Sequence, residues 1–272
     1  MNLAQLGEMF PDADYAFSMK MRPGGPDSFF APSPKATTLL AERGRWLDEA
    51  SARYAAAVPD HRPLLEATWK LAANSSTLPL PKTPPNADDD LVVQLGRRWE
   101  PDFLLVAPDI SGRFVLRAGC VCFPSGWALE EKLGLPLEAI HGIVPGLNAA
   151  IGEKIQQFLG RLKPGAGWQR SNWGLSSSPE RNQHPTRAVN HLTADTPPES
   201  TWVRLEHQLF TRLPEVEAVL FGIRLENVPL PALAENPRLR QGFRRTLATL
   251  SDAMASYKNL AAIRPALLKY LA

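Results

Sequence analysis

Cysteine is scarce in this sequence, and the shortage excludes several kinds of site. The 272 residues include two cysteines, Cys120 and Cys122, too few for a four-thiolate zinc or iron–sulfur centre. On an extended strand, residues two apart place their Cα atoms roughly 6.5 to 7 Å apart, at or beyond the limit for an unstrained disulfide. We therefore expect two buried thiols in a reducing compartment, and a cytoplasmic protein.

Long apolar runs and an excess of one charge are also missing. No stretch approaches the roughly 20 unbroken apolar residues of a membrane span, and the N-terminus lacks the positive start and apolar run of a secretory signal. Lys and Arg number 30 against 28 Asp and Glu, so we expect neither a membrane nor a nucleic acid as partner. There is no G-x-G-x-x-G, P-loop or G-x-S-x-G pattern, which excludes nucleotide binding and a nucleophile elbow by those routes.

The apolar pattern that is present predicts helices at both ends of the chain and strands between them. We expect an irregular arm over 1–35 whose aromatic side chains pack on the body of the protein. The predicted elements are helices over 35–58, 63–73 and 88–98, strands over 103–106 and 113–123, a helix over 145–162, an extended piece over 170–175, a hairpin over 201–213 and 217–226, and helices from 229 onward. This order predicts a single α+β domain, with a core over 101–228 between an N-terminal part (1–100) and C-terminal helices (229–272).

Alternation in the second predicted strand is regular. It places five side chains on one face of a half-buried strand: Phe114, Leu116, Ala118, Cys120 and Cys122.

One histidine stands at a turn between apolar segments. His141 precedes the sequence Gly142-Ile143-Val144-Pro145-Gly146, at the mouth of a Pro-Gly turn that leads into the helix predicted from Pro145. An imidazole there suits an axial position on a haem iron, with apolar residues flanking the macrocycle. A buried histidine that donates to a backbone carbonyl would give the same pattern.

Two polar groups fall on predicted strands. Arg170-Ser171-Asn172-Trp173 combines a cation and an aromatic, which would clamp a carboxylate and cover a flat ring, or simply anchor a loop. In the hairpin, a period of two places Arg204, Glu206 and Gln208 on one face. That face either anchors a propionate or an ammonium group or is the solvent face of an antiparallel hairpin.

Four blocks in this order resemble the family of the haem-dependent oxidative N-demethylase α subunit. They are 118–127 with 131–134, His141 with Val144-Pro145-Gly146, Arg170–Trp173, and 204–208 with 212–214 and 221–224; Tyr257-Lys258 near the C-terminus adds to the likeness. Two positions depart from the family pattern: Gly142-Ile143 follows His141, and His207 stands where arginine is usual.

The resemblance implies a haem b held in a PAS-like antiparallel sheet domain surrounded by N- and C-terminal helices. It also implies a monooxygenase: the iron activates dioxygen, a C–H bond beside nitrogen in a small methylated amine such as dimethylamine is hydroxylated, and formaldehyde is released. No flavin motif or iron–sulfur ligand set is present, so the electrons would come from a separate flavin/iron–sulfur reductase component.

The resemblance also assigns roles to particular residues. His141 becomes the proximal iron ligand, with Arg170 and Arg204 on the propionates and Trp173 against the macrocycle. Glu206 becomes the residue that holds the protonated amine, which makes Glu206 and Arg204 the candidate catalytic pair. His184, His191 and His207 remain alternative ligands. A non-catalytic haem or small-ligand sensor or carrier, and an interaction subunit without cofactor, are the competing interpretations.

Overall fold

One antiparallel sheet organises the part of the chain that our computed structural model describes, residues 3–17, 19–74, 80–84, 90–189 and 191–272. Its seven strands are β1 (Arg22–Pro23), β2 (Ala55–Ala57), β3 (Asp102–Pro108), β4 (Phe114–Cys120), β5 (Gly167–Ser176), β6 (Trp202–Arg212) and β7 (Val219–Pro229). Their order across the sheet is β1-β5-β6-β7-β3-β4-β2. The α+β prediction is confirmed.

The predicted hairpin is the centre of this sheet. Strands β6 and β7 pair without interruption from Trp202 opposite Pro229 to Arg212 opposite Val219. The turn closes where the N–H of Leu213 donates to the carbonyl of Ala218 at 2.9 Å. Alternating side chains of these strands enter apolar clusters on opposite faces of the sheet, because successive residues of a strand point to opposite sides.

Strand β4 contains a bulge, which makes the predicted common face wrong. Leu105 pairs with Ala118, but its neighbour Val106 pairs with Leu116, so Arg117 is an extra residue in β4. An extra residue reverses the facing of every side chain beyond it. Residues 114 and 116 therefore pack in one core, and residues 118, 120 and 122 pack in the core on the opposite face.

N-terminal helices cover one face of the sheet. They are α2 (Pro26–Phe30), α3 (Ala36–Tyr54), α4 (Arg62–Asn74) and α5 (Leu91–Arg98), and α1 (Leu3–Met9) lies further along. The three helices predicted between 35 and 98 are confirmed, but the first ends at Tyr54, and residues 55–57, which were predicted as helix, form β2. Asp90 caps α5 by accepting from the N–H groups of Val92 and Val93, whereas Asp88 and Asp89 lie outside the described residues. The predicted packing of the arm is also confirmed, since Phe10, Phe29 and Phe30 are buried.

C-terminal helices form a second cluster with the ends of β5, β6 and β7. They are α8 (Leu230–Ala234), α9 (Pro237–Thr249), α10 (Asp252–Tyr257) and α11 (Arg264–Tyr270). Phe10 lies between Trp173 and Phe243, at centroid distances of 5.5 and 4.6 Å. The arm is thereby fixed between the sheet and the last helices.

The opposite face of the sheet is covered by the segment between β4 and β5. It contains α6 (Leu137–His141) and a π-helical turn (Asn148–Gly152) that continues as α7 (Glu153–Arg161). The helix predicted over 145–162 thus begins at Asn148. Single π-helical turns are rare and occur often beside functional sites.

The two cysteines are free, as predicted. Both thiols are buried, and their sulfur atoms are 3.9 Å apart. In the described ranges, no helix combines the length and the apolar character needed to cross a membrane.

Candidate functional site

A cavity of about 1420 Å³ opens between the sheet, the segment after α6, the N-terminal arm and the C-terminal helices. Ligand pockets are typically about 300–1,000 Å³, so this one has room for a large cofactor and a small second molecule. The arm, the helical segment and the C-terminal helices all reach β5 at this cavity.

Apolar side chains line two walls of the cavity. Leu147 immediately precedes the π-helical turn, and Ile151, Ile155 and Phe158 project from this turn and α7 at spacings of three and four residues, which place them on one helix face. On the sheet side, the rings of Phe210 and Phe221 stack with their centroids 4.6 Å apart. Walls of this kind suit a flat, apolar ligand.

His141 is the last residue of α6 and lines the cavity. Its side chain has no hydrogen-bond partner within the described chain. Burial lowers the pKa of His141, and the charge of Arg170 lowers it further, while Glu138 opposes them. Both effects favour the neutral imidazole, whose nitrogen lone pair is the one that binds a metal. His141 is therefore not a histidine that donates to a backbone carbonyl, which was the alternative interpretation of its sequence pattern.

Strand β5 presents five consecutive residues to the cavity, from Gln169 to Trp173. Beside β5, the short strand β1 pairs with Trp168 and Gln169 alone. Consecutive strand residues point to opposite faces, so the cavity extends around the free edge of β5 beyond Gln169. The guanidinium of Arg170 has no hydrogen-bond partner among residues with described positions, and burial lowers its pKa.

Trp173 joins the cavity to the C-terminal helices. Its ring packs edge-on against Phe10 and Phe243, and the ammonium nitrogen of Lys258 lies 4.5 Å from its centre. The same ammonium donates to the main-chain carbonyl of Trp173 at 2.7 Å. Trp173 is thus held in place from one side while it lines the cavity; its contact with a macrocycle stays a prediction.

Glu206 stands just behind the cavity lining. Its carboxylate accepts from Ser125 Oγ at 2.8 Å, Gln208 Nε2 at 3.2 Å and Asn172 Nδ2 at 3.4 Å. Asn172 and Gln208 line the cavity, whereas Glu206 is not among the lining residues. Its charge still reaches the site, since it raises the pKa values of Arg170 and Lys258 against the effect of burial.

Arg204 shares the face of Glu206 but is buried away from the cavity. Its guanidinium donates to the carbonyls of Glu180 and Arg181 at 2.9 Å each and to Ser125 Oγ at 3.2 Å. Burial lowers its pKa to about 10, an effect that the negative charge of Glu206 opposes. Arg204 therefore lies neither on a solvent-exposed face of the hairpin nor in the cavity, because loops cover this end of β6. A contact between Arg204 and a propionate stays a prediction.

The other predicted histidines do not line the cavity. His184 is buried, with Nδ1 2.9 Å from Thr186 Oγ1 and Nε2 3.1 Å from Glu130. His207 lies 3.1 Å from Ser171 Oγ and 3.5 Å from Glu226, and His191 is exposed. His141 is therefore the best placed of these four imidazoles for a ligand in the cavity.

The lining residues outside the predicted site include Tyr15, Tyr257 and Lys258. Tyr257 and Lys258 entered the sequence analysis only through the family likeness, and Tyr15 only as an aromatic of the arm. Spacing gives no signal for them, since more than 80 residues separate each from Arg170.

Protein side chains by themselves do not form a metal centre here. No cluster of three or more His, Cys, Asp and Glu side chains suited to a metal ion occurs in the described ranges. A metal at His141 would need most of its ligands from a prosthetic group, and a porphyrin supplies four nitrogens in this way.

A family comparison identifies most of the chain. The model of the family described as haem-dependent oxidative N-demethylase, alpha subunit-like, matches residues 48–268. The chain belongs to this family. The match includes His141, Arg170, Trp173, Arg204 and Glu206, together with Tyr257 and Lys258, while Tyr15 of the arm precedes it.

The family name indicates haem dependence, and the residues of the cavity fit a haem. An imidazole without a partner suits the iron, the apolar walls suit the macrocycle, and a guanidinium without a partner suits a propionate. Each of these three features is an observation of this chain and does not depend on the family name.

Proposed function

We propose that this chain is the haem-binding subunit of an oxidative N-demethylase that acts on a small methylated amine such as dimethylamine and releases formaldehyde. The observation that carries the proposal is the imidazole of His141, which has no hydrogen-bond partner among the described residues and lines an apolar-walled cavity of about 1420 Å³. Haem b bound there would supply the activation of dioxygen, with electrons from a flavin/iron–sulfur reductase component.

The chain's own residues would bind the cofactor from several sides. His141 would ligate the iron, Arg170 would bind a propionate, and Trp173 would pack beside the macrocycle. The stacked pair Phe210 and Phe221 would exclude water from the apolar wall. Exclusion of water strengthens every electrostatic contact in a site.

Glu206 is the proposed source of attraction for a protonated amine. Its carboxylate lies behind Asn172 and Gln208, so the amine would contact these lining amides while the negative charge behind them favours a cation. The proposed catalytic role of Arg204 is correspondingly indirect: it donates to Ser125, which also donates to Glu206, and so orients the carboxylate.

A PAS-like core is part of the proposal. The central five strands follow the order β5-β6-β7-β3-β4; numbered along the core, this is third, fourth, fifth, first, second, the order typical of PAS domains. The helical segment that covers the cavity lies between the second and third of these strands. Both features support a PAS-like core.

The proposal is tested by reconstitution with hemin. Wild type should show a Soret band of a histidine-ligated haem, and His141→Ala should lose or shift it. His191→Ala is the matched control, because His191 is exposed and lies outside the cavity. An unaltered haem content and spectrum in His141→Ala would contradict the ligand assignment.

The role of Glu206 has its own test. We expect dimethylamine to shift the Soret band of wild type at lower concentration than that of Glu206→Gln, which keeps the size of the side chain and removes its charge. Glu199→Gln, at an exposed position of the loop before β6, is the control. Equal amine affinities in wild type and Glu206→Gln would remove Glu206 from the proposed role.

A second candidate function is a non-catalytic haem or small-ligand sensor or carrier. The position of Glu206 favours it, since this carboxylate already has three neighbouring donors and does not line the cavity. Formaldehyde production from dimethylamine, with oxygen and a surrogate electron donor, distinguishes the two functions. A sensor or carrier would bind haem and release no formaldehyde.

A further inference from the structure

The free edge of β5 brings together hydrogen-bond donors from three distant parts of the chain. Tyr15 comes from the N-terminal arm, Arg170 from β5, and Tyr257 and Lys258 from the end of α10, and all four line the cavity. The charge of Arg170 acts on the pKa values of both Tyr15 and Lys258, and Tyr257 acts on the pKa of Tyr15. The four groups therefore form one cluster.

Most of the donor capacity of this cluster is unused. Within the described ranges, the guanidinium of Arg170 and the hydroxyls of Tyr15 and Tyr257 have no hydrogen-bond partner. The ammonium of Lys258 donates to the carbonyl of Trp173 at 2.7 Å, which leaves two of its three protons available. These donors line the cavity, so they are available to a ligand that supplies the acceptors.

The charges of the cluster favour an anion. Arg170 and Lys258 are both cationic groups, and Glu206 is the carboxylate whose charge acts on Arg170, Tyr257 and Lys258 together. Glu206 is itself engaged with Ser125, Asn172 and Gln208. The two cations Arg170 and Lys258 thus outnumber the single carboxylate of Glu206. The planar guanidinium fork of Arg170 matches a carboxylate in particular.

We propose that Arg170, Lys258, Tyr257 and Tyr15 form a carboxylate-binding site at the free edge of β5. The carboxylate is either a propionate of the bound cofactor or the carboxylate of an N-methylated amino acid. The first source rests on the proposed function, whereas the second extends the substrate class from simple amines to amines with an acid group.

Binding of metal-free protoporphyrin IX separates this site from the ligation of iron by His141. Quenching of tryptophan fluorescence would measure the affinities of the diacid and of its dimethyl ester, which has the same ring and no carboxylate. For a propionate, wild type should prefer the diacid by about tenfold or more, the effect of a charged hydrogen bond. Arg170→Gln and Lys258→Met should each lose most of this preference, and Tyr257→Phe a smaller part.

Isothermal titration of the apoprotein with N-methylglycine and with dimethylamine tests the second source. If the carboxylate belongs to the substrate, N-methylglycine should bind wild type about tenfold more tightly than Arg170→Gln or Lys258→Met. Dimethylamine should bind these proteins without such a loss, because it has no acid group. In this case the diacid and the ester should bind wild type equally.

Two further variants control for unfolding and for charge in general. Lys258→Arg keeps the cation and should retain most of the preference that Lys258→Met loses. Arg240→Gln removes an exposed cation of α9 outside the cavity and should leave both affinities unchanged. If neither carboxylate source distinguishes wild type from Arg170→Gln and Lys258→Met, the inference is wrong. Failure of the proposed function shows separately, as a Soret spectrum that does not depend on His141.

Discussion

Arg43 of α3 and Asp102 at the start of β3 form an ion pair in the centre of the protein, and both side chains are almost fully buried. Arg43 also donates to the carbonyl of Gly96 at 2.9 Å. Asp102 accepts from the main-chain N–H groups of Cys122 and Phe123 at 2.7 and 3.0 Å. The pair thereby ties two helices to the chain that leaves β4 and leads towards the cavity.

Loss of this pair should be costly. Arg43→Met leaves the carboxylate of Asp102 buried without its cation, and removal of one partner of a buried pair costs about 3 to 5 kcal/mol. We expect a decrease of this size in the free energy of unfolding, measured by urea denaturation. Arg240→Met, at an exposed arginine, is the control and should change it little. A decrease below about 1 kcal/mol in Arg43→Met would contradict the structural role.

Two helical glycines should respond in opposite directions to alanine. A Cβ on Gly96 would lie 2.3 Å from the sulfur of Cys120, whereas a Cβ on Gly44 would meet one atom, 3.8 Å away at the tip of Arg97. Gly96→Ala should destabilise by about 1 to 3 kcal/mol through overpacking. Gly44→Ala should stabilise by about 0.5 to 1 kcal/mol, because alanine favours the helix. Thermal unfolding would test both, and a stabilising Gly96→Ala would show that the contact relaxes freely.

Lys258 should make stability depend on pH in the alkaline range. Burial lowers its pKa to about 8, with the charge of Arg170 acting the same way and that of Glu206 opposing, whereas an unfolded lysine titrates near 10.4. Between these values the folded state binds fewer protons than the unfolded chain, so this contribution to stability increases with pH. Below pH 8 the full cost of burying the ammonium remains.

Comparison with Lys258→Met isolates this contribution. We expect the unfolding free energy of wild type, minus that of the variant, to rise between about pH 8 and pH 10 and to be level from pH 6 to 7. Tyr15 and Tyr257 face the same region, and burial raises the pKa values of both above 10, so they titrate outside most of this window. A difference that falls with pH would contradict a lowered pKa for Lys258.

Arg204 should contribute to stability whether or not it meets a ligand. It joins the loop after β4, through Ser125, to the loop after β5, through the carbonyls of Glu180 and Arg181. We expect Arg204→Gln to lose about 3 kcal/mol of unfolding free energy, since hydrogen bonds to charged groups are worth about 1.5 to 3 kcal/mol each. An unchanged urea midpoint would contradict this bracing role. Loss of the preference for the diacid porphyrin in this variant would assign Arg204 the predicted propionate contact.

Local sequence signals predicted most of the helices and the central hairpin. Asp90 and its apolar neighbours marked the start of α5, and alternation marked β6, because capping and periodicity depend on residues close in the chain. The bulge at Arg117 was not predicted, because it appears only in the pairing between β3 and β4. Its effect, a change of face halfway along β4, cannot be seen in the alternation of one strand.

The candidate site was predicted in part, for a similar reason. His141 and Arg170 each lie in a local pattern typical of their proposed chemistry, and both line the cavity. Glu206 and Arg204 share a strand face, as predicted, yet loops cover that face and turn Arg204 away from the cavity. Periodicity distinguishes two faces of a strand but does not reveal what covers each face.

By itself, the sequence determined most of the secondary structure, the absence of a four-thiolate metal centre and the family to which the chain belongs, because each depends on residue types or on neighbours in the chain. Tertiary structure alone decided which polar residues meet at the edge of β5. Tyr15 and Lys258 are separated from Arg170 by more than 80 residues in either direction, and only the packing of the arm and the last helices against the sheet brings them into one cavity.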